Sequence, residues 1–147
     1  MSVDVETDIA IARPIEVVAA YAADPVNAPE WYANIRTVEW VTGPEVRVGA
    51  QVRFVARFLG RTLTYTYQFV DVVPLARLVM RTEEGPFPME TTYTWAALDE
   101  HSTRMTLRNR GEPAGFSKLA APFMEPAMRR ANRKDLVTLR SVLEGSA

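Results

Sequence analysis

Tyr65, Tyr67 and Tyr93 lie in stretches that alternate apolar and polar residues, and each falls on the apolar parity. A tyrosine hydroxyl that faces inward must find a hydrogen-bond partner. These three can hold one another, a water or an oxygen of a bound molecule, and as donors they suit the oxygen of an enolate. Asn109 adds an amide on the parity of Met105 and Leu107. Carbon-acid chemistry would also need a proton acceptor. Asp71 shares the parity of Tyr65, Tyr67 and Phe69, and Glu90 stands one residue off the inward register. A β-bulge would reverse either assignment. Asp71 approaches a strand end at Pro74, so an exposed carboxylate is expected there, and no catalytic residue is assigned.

The chain has no cysteine and a single histidine. Thiol nucleophiles, disulfides and cysteine metal ligands are therefore excluded. His101 sits in the turn Asp99-Glu100-His101-Ser102, lacks any specific nucleophile partner, and reads as a surface residue. No convergent ligand set is visible, so neither a metal nor another cofactor is expected.

The elements that must position these residues are mostly strands. Val3–Ala12 alternates, with Val3, Val5, Ile9 and Ile11 on one parity and Asp4, Glu6 and Asp8 on the other. Pro14 suits the first turn of a short helix running to about Ala23, and Asp24-Pro25 stops it. Residues from Asn27 to Tyr32 read as a second short helix or turn. From Ile35 the period is two: strands are expected over Ile35–Thr42, Gln51–Leu59, Thr62–Val73, Leu75–Thr82, Pro88–Leu98 and Thr103–Arg110. Seven strands, joined after the first by short turns, predict an antiparallel meander.

One face of that sheet is rich in threonine and arginine. Arg53, Arg57, Arg77, Arg81, Arg104 and Arg108 all take the outward parity, which predicts a solvent face with cross-strand Asp and Glu partners. The other face is aromatic and methionine-rich. It supplies Trp31, Phe54, Phe58, Tyr65, Tyr67, Met80, Met89, Tyr93, Trp95 and Met105 as candidate lining of an interior space.

Gly115–Leu143 is the one long helical pattern. Its stripe is read as Phe116, Leu119, Ala120, Phe123, Ala127 and Ala131, continuing into Leu136, Leu139 and Leu143. Arg129, Arg130, Arg133 and Lys134 take the solvent side. Pro122 and Pro126 each remove an N–H and crowd the carbonyl four residues back. They predict a short first helix to about Ala121, a bend or break at Pro122–Pro126, and a helix from there to Leu143. Small residues facing an aromatic sheet leave room, so Phe123 and Ala127 join the candidate lining, and the helix is expected to touch the sheet at both ends with space between.

Size and charge bound the rest. The 147 residues suffice for one domain, 1–147, with a real core. Seventeen basic against eighteen acidic residues argue against nucleic-acid binding by bulk charge. The acidic, alternating N-terminus is unlike a signal peptide, and no apolar run approaches a membrane span. A cytoplasmic protein without integral membrane association is expected, as a monomer or homodimer.

The order of elements, one strand, two short helices, six meandering strands and a long C-terminal helix, is that of the helix-grip fold. The residues match as well: Ile11-Ala12-Arg13-Pro14-Ile15-Glu16-Val17-Val18 leading to Asp24, then Pro29-Glu30-Trp31, Val38-Glu39, Thr42-Gly43-Pro44 and Val48-Gly49. Further matches are Val70-Asp71 to Pro74, Ser102-Thr103-Arg104-Met105-Thr106, and Asp135-Leu136 to Leu143-Glu144. Over almost its whole length the chain resembles the START-like superfamily called SRPBCC, and within it the small polyketide cyclase/dehydrase-like proteins.

The resemblance implies an α+β fold in which a curved seven-stranded sheet grips the C-terminal helix around a cavity. It also implies a mouth near the turns at Gly60 and at Glu84-Gly85-Pro86, with Glu83 and Glu84 beside it. The function expected is binding of a hydrophobic small molecule, a lipid, polyketide or other aromatic or polycyclic ligand, in a cavity of several hundred Å³. Two alternatives stay open. One is a cofactor-free cyclase, aromatase or dehydratase, a lyase or isomerase without metal or nucleotide. The other is an interaction module with a filled core.

Overall fold

The computed structural model describes residues 3–58, 60–84, 88–112 and 121–145. Alternation in the first stretch becomes strand β1 (Val3–Ile11), with Val3, Val5 and Ile11 buried and Asp4, Glu6 and Asp8 exposed. Pro14 precedes helix α1 (Ile15–Ala23) in an extended conformation. The Val26 N–H donates to the Asp24 carboxylate at 3.1 Å, which opens a 3₁₀ turn, Pro25–Asn27, leading into α2 (Ala28–Trp31). Six strands follow: β2 (Ile35–Trp40), β3 (Gln51–Phe58), β4 (Arg61–Val73), β5 (Arg77–Glu84), β6 (Met89–Asp99) and β7 (Ser102–Gly111). The last element is α3 (Ala121–Gly145).

All seven strands form one antiparallel sheet in the order β1-β7-β6-β5-β4-β3-β2. The meander leaves β1 to pair across the far edge with β7, and α3 lies along β1. The sheet curves into a half-barrel around α3, with α1 and α2 at one end: the helix-grip fold.

The outward arginines find acids on neighbouring strands. Arg53 pairs with Glu39 at 3.3 Å, Arg77 with Asp71 at 2.6 Å, Arg104 with Asp8 at 2.8 Å and Arg108 with Asp4 at 2.7 Å. Glu90 is held between Arg81, at 2.7 Å, and Arg110. These exposed pairs are each worth only about 0–1 kcal/mol, and they set the solvent face rather than the core. Asp71 belongs to this face because Val70 is an extra residue between the pairs Phe69–Met80 and Asp71–Val79. That bulge turns Asp71 away from the parity of Tyr65 and Tyr67.

Helix α3 corrects two sequence expectations. It runs without interruption through Pro126. Pro122 lies in the first turn of the described helix. Pro126 removes a ladder bond, from the carbonyl of Pro122. The short helix expected before Ala121 lies outside the described residues. The stripe is also one position out of phase. Stepping back from Leu143 by fours and threes gives Leu139, Leu136, Asn132, Met128 and Met124, and all of these are buried. Phe123 is 69% exposed.

Two apolar clusters fill the half-barrel. The larger gathers Trp31, Val52, Phe69, Leu78, Trp95, Met105 and Leu107 with Leu136, Leu139 and Leu143 of α3. The smaller gathers Val3, Val5, Leu63, Tyr65 and Met89 with Met124 and Met128. Tyr67 packs against both.

Candidate functional site

Between the two clusters the sheet and α3 do not meet. The space has a volume of about 150 Å³. Phe54 and Ala56 of β3, Leu63, Tyr65 and Tyr67 of β4, Met80 of β5 and Met89, Thr91 and Tyr93 of β6 form its sheet wall, with Asn109 of β7. Tyr32, Asn34 and Ile35 close one side, and α3 contributes Met128, Ala131, Asn132 and Asp135. The volume falls short of the several hundred Å³ expected, and Met128 lines it where the smaller Ala127 was expected.

Seven of the thirteen candidate residues line this cavity: Phe54, Tyr65, Tyr67, Met80, Met89, Tyr93 and Asn109. Five others do not join them. Trp31 is buried behind the wall, its ring centroid 4.1 Å from that of Tyr32 and 5.8 Å from that of Tyr93. Trp95 and Met105 lie in the larger cluster and are not among the residues that line the space. Phe123 points to solvent, and Ala127 lies on the flank of α3 in a groove beside Ala33 and Asn34. Phe58 ends β3, and its side chain lies outside the described residues. The expected mouth at Gly85 and Pro86 lies outside them too. His101 is exposed in its turn, its N–H donating to Asp99 at 2.7 Å.

The polar groups of the wall are largely paired with one another. The hydroxyls of Tyr32 and Tyr93 share a 2.6 Å hydrogen bond. The Thr91 hydroxyl donates to Asn109 Oδ1 at 2.6 Å. Burial holds the phenols of Tyr32 and Tyr93 protonated, well above the usual range, and pushes Tyr67 up to about 12 with Thr91 acting in the opposite sense. The tyrosines are therefore donors, not bases, near neutral pH.

Asp135 is the ionisable group that sequence reading missed. Its side chain is enclosed, the residue being 2% exposed, and one oxygen accepts the Ala33 N–H at 3.1 Å. Burial raises its pKa to about 6, against the opposing pull of that hydrogen bond and of Lys134. It can thus take or give a proton close to neutrality. Three residues earlier, Asn132 is 6% exposed and its Nδ2 has no hydrogen-bond partner among the described residues. The signal for both was the phase of the stripe. Asn132 and Asp135 share the face of Leu136 and Leu139, but their polarity read as an interruption. Among the described residues no cluster of His, Cys, Asp or Glu is placed to hold a metal, and no helix is long and apolar enough to cross a membrane.

A curved antiparallel sheet closed by a C-terminal helix over an apolar cavity defines a START-like protein. Residues 2–144 match the family described as polyketide cyclase / dehydrase and lipid transport, and the chain belongs to that family. Among curated proteins no sequence matches it significantly. Solved structures that share the fold include TTHA0849 from Thermus thermophilus, 21% identical over 98% of this chain and 99% of that one, with a TM-score of 0.82. The Zhui aromatase/cyclase from Streptomyces sp. R1128 is 21% identical over 98% of this chain and 94% of its own, with a TM-score of 0.81. A START superfamily protein from Mycobacterium smegmatis is 14% identical over 98% and 99%, with a TM-score of 0.84.

Proposed function

We propose that this protein, acting as a single domain, binds a small hydrophobic molecule in the cavity between the sheet and α3. The observation that carries the reading is the cavity itself: an aromatic and thioether wall with the buried polar groups of Asn132 and Asp135 at one side. Apolar contact would provide most of the affinity, on the order of 25 cal/mol per Å² before the costs of binding. The polar side would set orientation. An apolar cavity of roughly 150 Å³ accommodates a benzene, so a single substituted ring fits this space as it stands, and a larger polycycle would require it to widen.

Displacement of an environment-sensitive fluorescent probe tests this. Saturable displacement is expected, and Ala131→Phe, which fills the cavity from α3, should abolish it without unfolding the chain. A probe that binds the filled variant as well as the original sinks the site. Native mass spectrometry of the purified protein would identify what co-purifies.

A second reading, a cofactor-free cyclase, aromatase or dehydratase, is favoured by one observation. Asp135 supplies the proton acceptor such chemistry needs, with a pKa of about 6, beside the hydroxyl pair of Tyr32 and Tyr93, in which one O–H donates to the other and the remaining O–H can donate to an enolate oxygen. Turnover of a bound ketone that vanishes in Asp135→Asn while binding persists would support it. Binding without turnover leaves the protein a binder.

A further inference from the structure

The cavity wall carries more polar groups than a purely apolar ligand would call for, and most of them already satisfy each other. Tyr32 is bonded to Tyr93, and Thr91 to Asn109. Asn132 Nδ2 stands apart as a buried donor with no partner among the described residues, and Asp135, one oxygen of which accepts the Ala33 N–H, lines the same cavity. Leaving a buried polar group unsatisfied costs stability, so a partner is expected to occupy this spot. The two side chains stand three residues apart on α3, where neighbouring Cβ atoms are about 5–6 Å from each other. One ligand atom placed between them can meet both.

We propose that this pair selects a small aromatic hydroxyl compound, a phenol or an enol of similar size. The hydroxyl accepts from Asn132 Nδ2 and donates to Asp135. The inference rests on the cavity reading above and names the ligand class for it. A hydroxyl is both donor and acceptor, which is what one N–H and one carboxylate oxygen require together. A carboxylate ligand would meet Asp135 as a like charge. An ammonium would pair with Asp135 and point its positive charge at the Asn132 donor. An ether accepts and cannot donate. The volume admits one ring, which Phe54, Tyr65 and Tyr67 enclose.

Calorimetric titration at pH 8 with p-cresol, 4-methylanisole and toluene tests the assignment, since the three differ little except in the group facing α3. p-Cresol is expected to bind about tenfold or more tighter than either of the others, the scale of one or two added hydrogen bonds. Asn132→Leu removes the unpaired donor, so it should raise the unfolding midpoint while costing p-cresol most of its advantage over toluene. Asp135→Asn keeps an oxygen for the Ala33 N–H and turns an N–H toward the ligand. It should lower p-cresol affinity and raise that of 4-methylanisole. Equal affinities for p-cresol and toluene in the original protein would overturn the hydroxyl assignment and leave the cavity reading intact. Failure of all three to bind would overturn both.

Discussion

The C-terminal half of α3 packs Leu136, Leu139 and Leu143 against Trp95, Met105 and Leu107, and there the half-barrel is filled. The N-terminal half presents Met124, Met128 and Asn132 to the same sheet, and there a space of about 150 Å³ remains. The sheet presents large apolar side chains to both regions. What differs is the helix. Branched leucines interdigitate with the wall, whereas unbranched methionines span to it at their tips and the side chains of Ala131, Asn132 and Asp135 are too short to reach across. One helix thus serves as core at one end and as the roof of a cavity at the other. Polar groups gather at the boundary because only there does the interior leave them room.

The contrast predicts unequal costs of truncation. Leu139→Ala opens a void where none exists and should cost about 3–5 kcal/mol in denaturant unfolding. Met128→Ala enlarges a void that is already there and should cost about 2 kcal/mol or less, while admitting two-ring probes that the original excludes. Equal losses would mean that the two regions are packed alike.

The boundary should show itself in pH dependence. The folded-state pKa of Asp135 is about 6 against 3.8 for an unperturbed carboxyl, so the native chain binds this proton more tightly than the unfolded chain. Stability from this group is complete below pH 4 and is lost as the pH rises to 6, by about 3 kcal/mol. Asp135→Asn should flatten that slope in urea titrations between pH 4 and 7. Asp4 and Glu90 act in the opposite sense. Hydrogen bonds from Arg108 to Asp4, and from Arg110 and Arg81 to Glu90, lower both pKa values, so their contribution fades as the pH falls through the acid range.

A smaller effect is expected from the tyrosine pair. Tyr93→Phe leaves the Tyr32 hydroxyl without its partner and should cost about 1–2 kcal/mol. Changing Tyr32 and Tyr93 to phenylalanine together should recover part of that loss, by a double-mutant cycle. If the two losses simply add, the 2.6 Å bond contributes nothing. The smallest change is expected from Ala131→Leu. It should alter stability by less than about 1 kcal/mol, since the new atoms enter empty space, yet reduce probe binding at least tenfold.

The fold was legible because strand period, turn residues and element order all pointed the same way. The sheet half of the cavity was legible for the same reason: on a strand, parity alone says which side chains share a face, and Phe54, Tyr65, Tyr67, Met80, Met89, Tyr93 and Asn109 follow it. The helix half was not. A helical stripe depends on phase, and an apolar count slips by one position when a polar residue such as Asn132 occupies the buried face. That slip put Phe123 in place of Met124 and hid Asp135. Tyr32, next to the buried Trp31, lay in a turn where no period applies. Asp71 shows the remaining gap, because one extra residue at Val70 reverses a parity that composition does not reveal.

Pro126 gives α3 an uneven grip on itself. The carbonyl of Pro122 lacks its helical donor, so the stretch around Met124 is held less by its own ladder than by the contact of Met124 and Met128 with the sheet. Amide exchange should therefore be graded along a single helix. Residues near Met124 should exchange through a local opening far cheaper than global unfolding, and Leu139 only when the whole domain unfolds. Occupancy of the cavity would then be readable as slowed exchange confined to the first two turns of α3, without any movement of the last three.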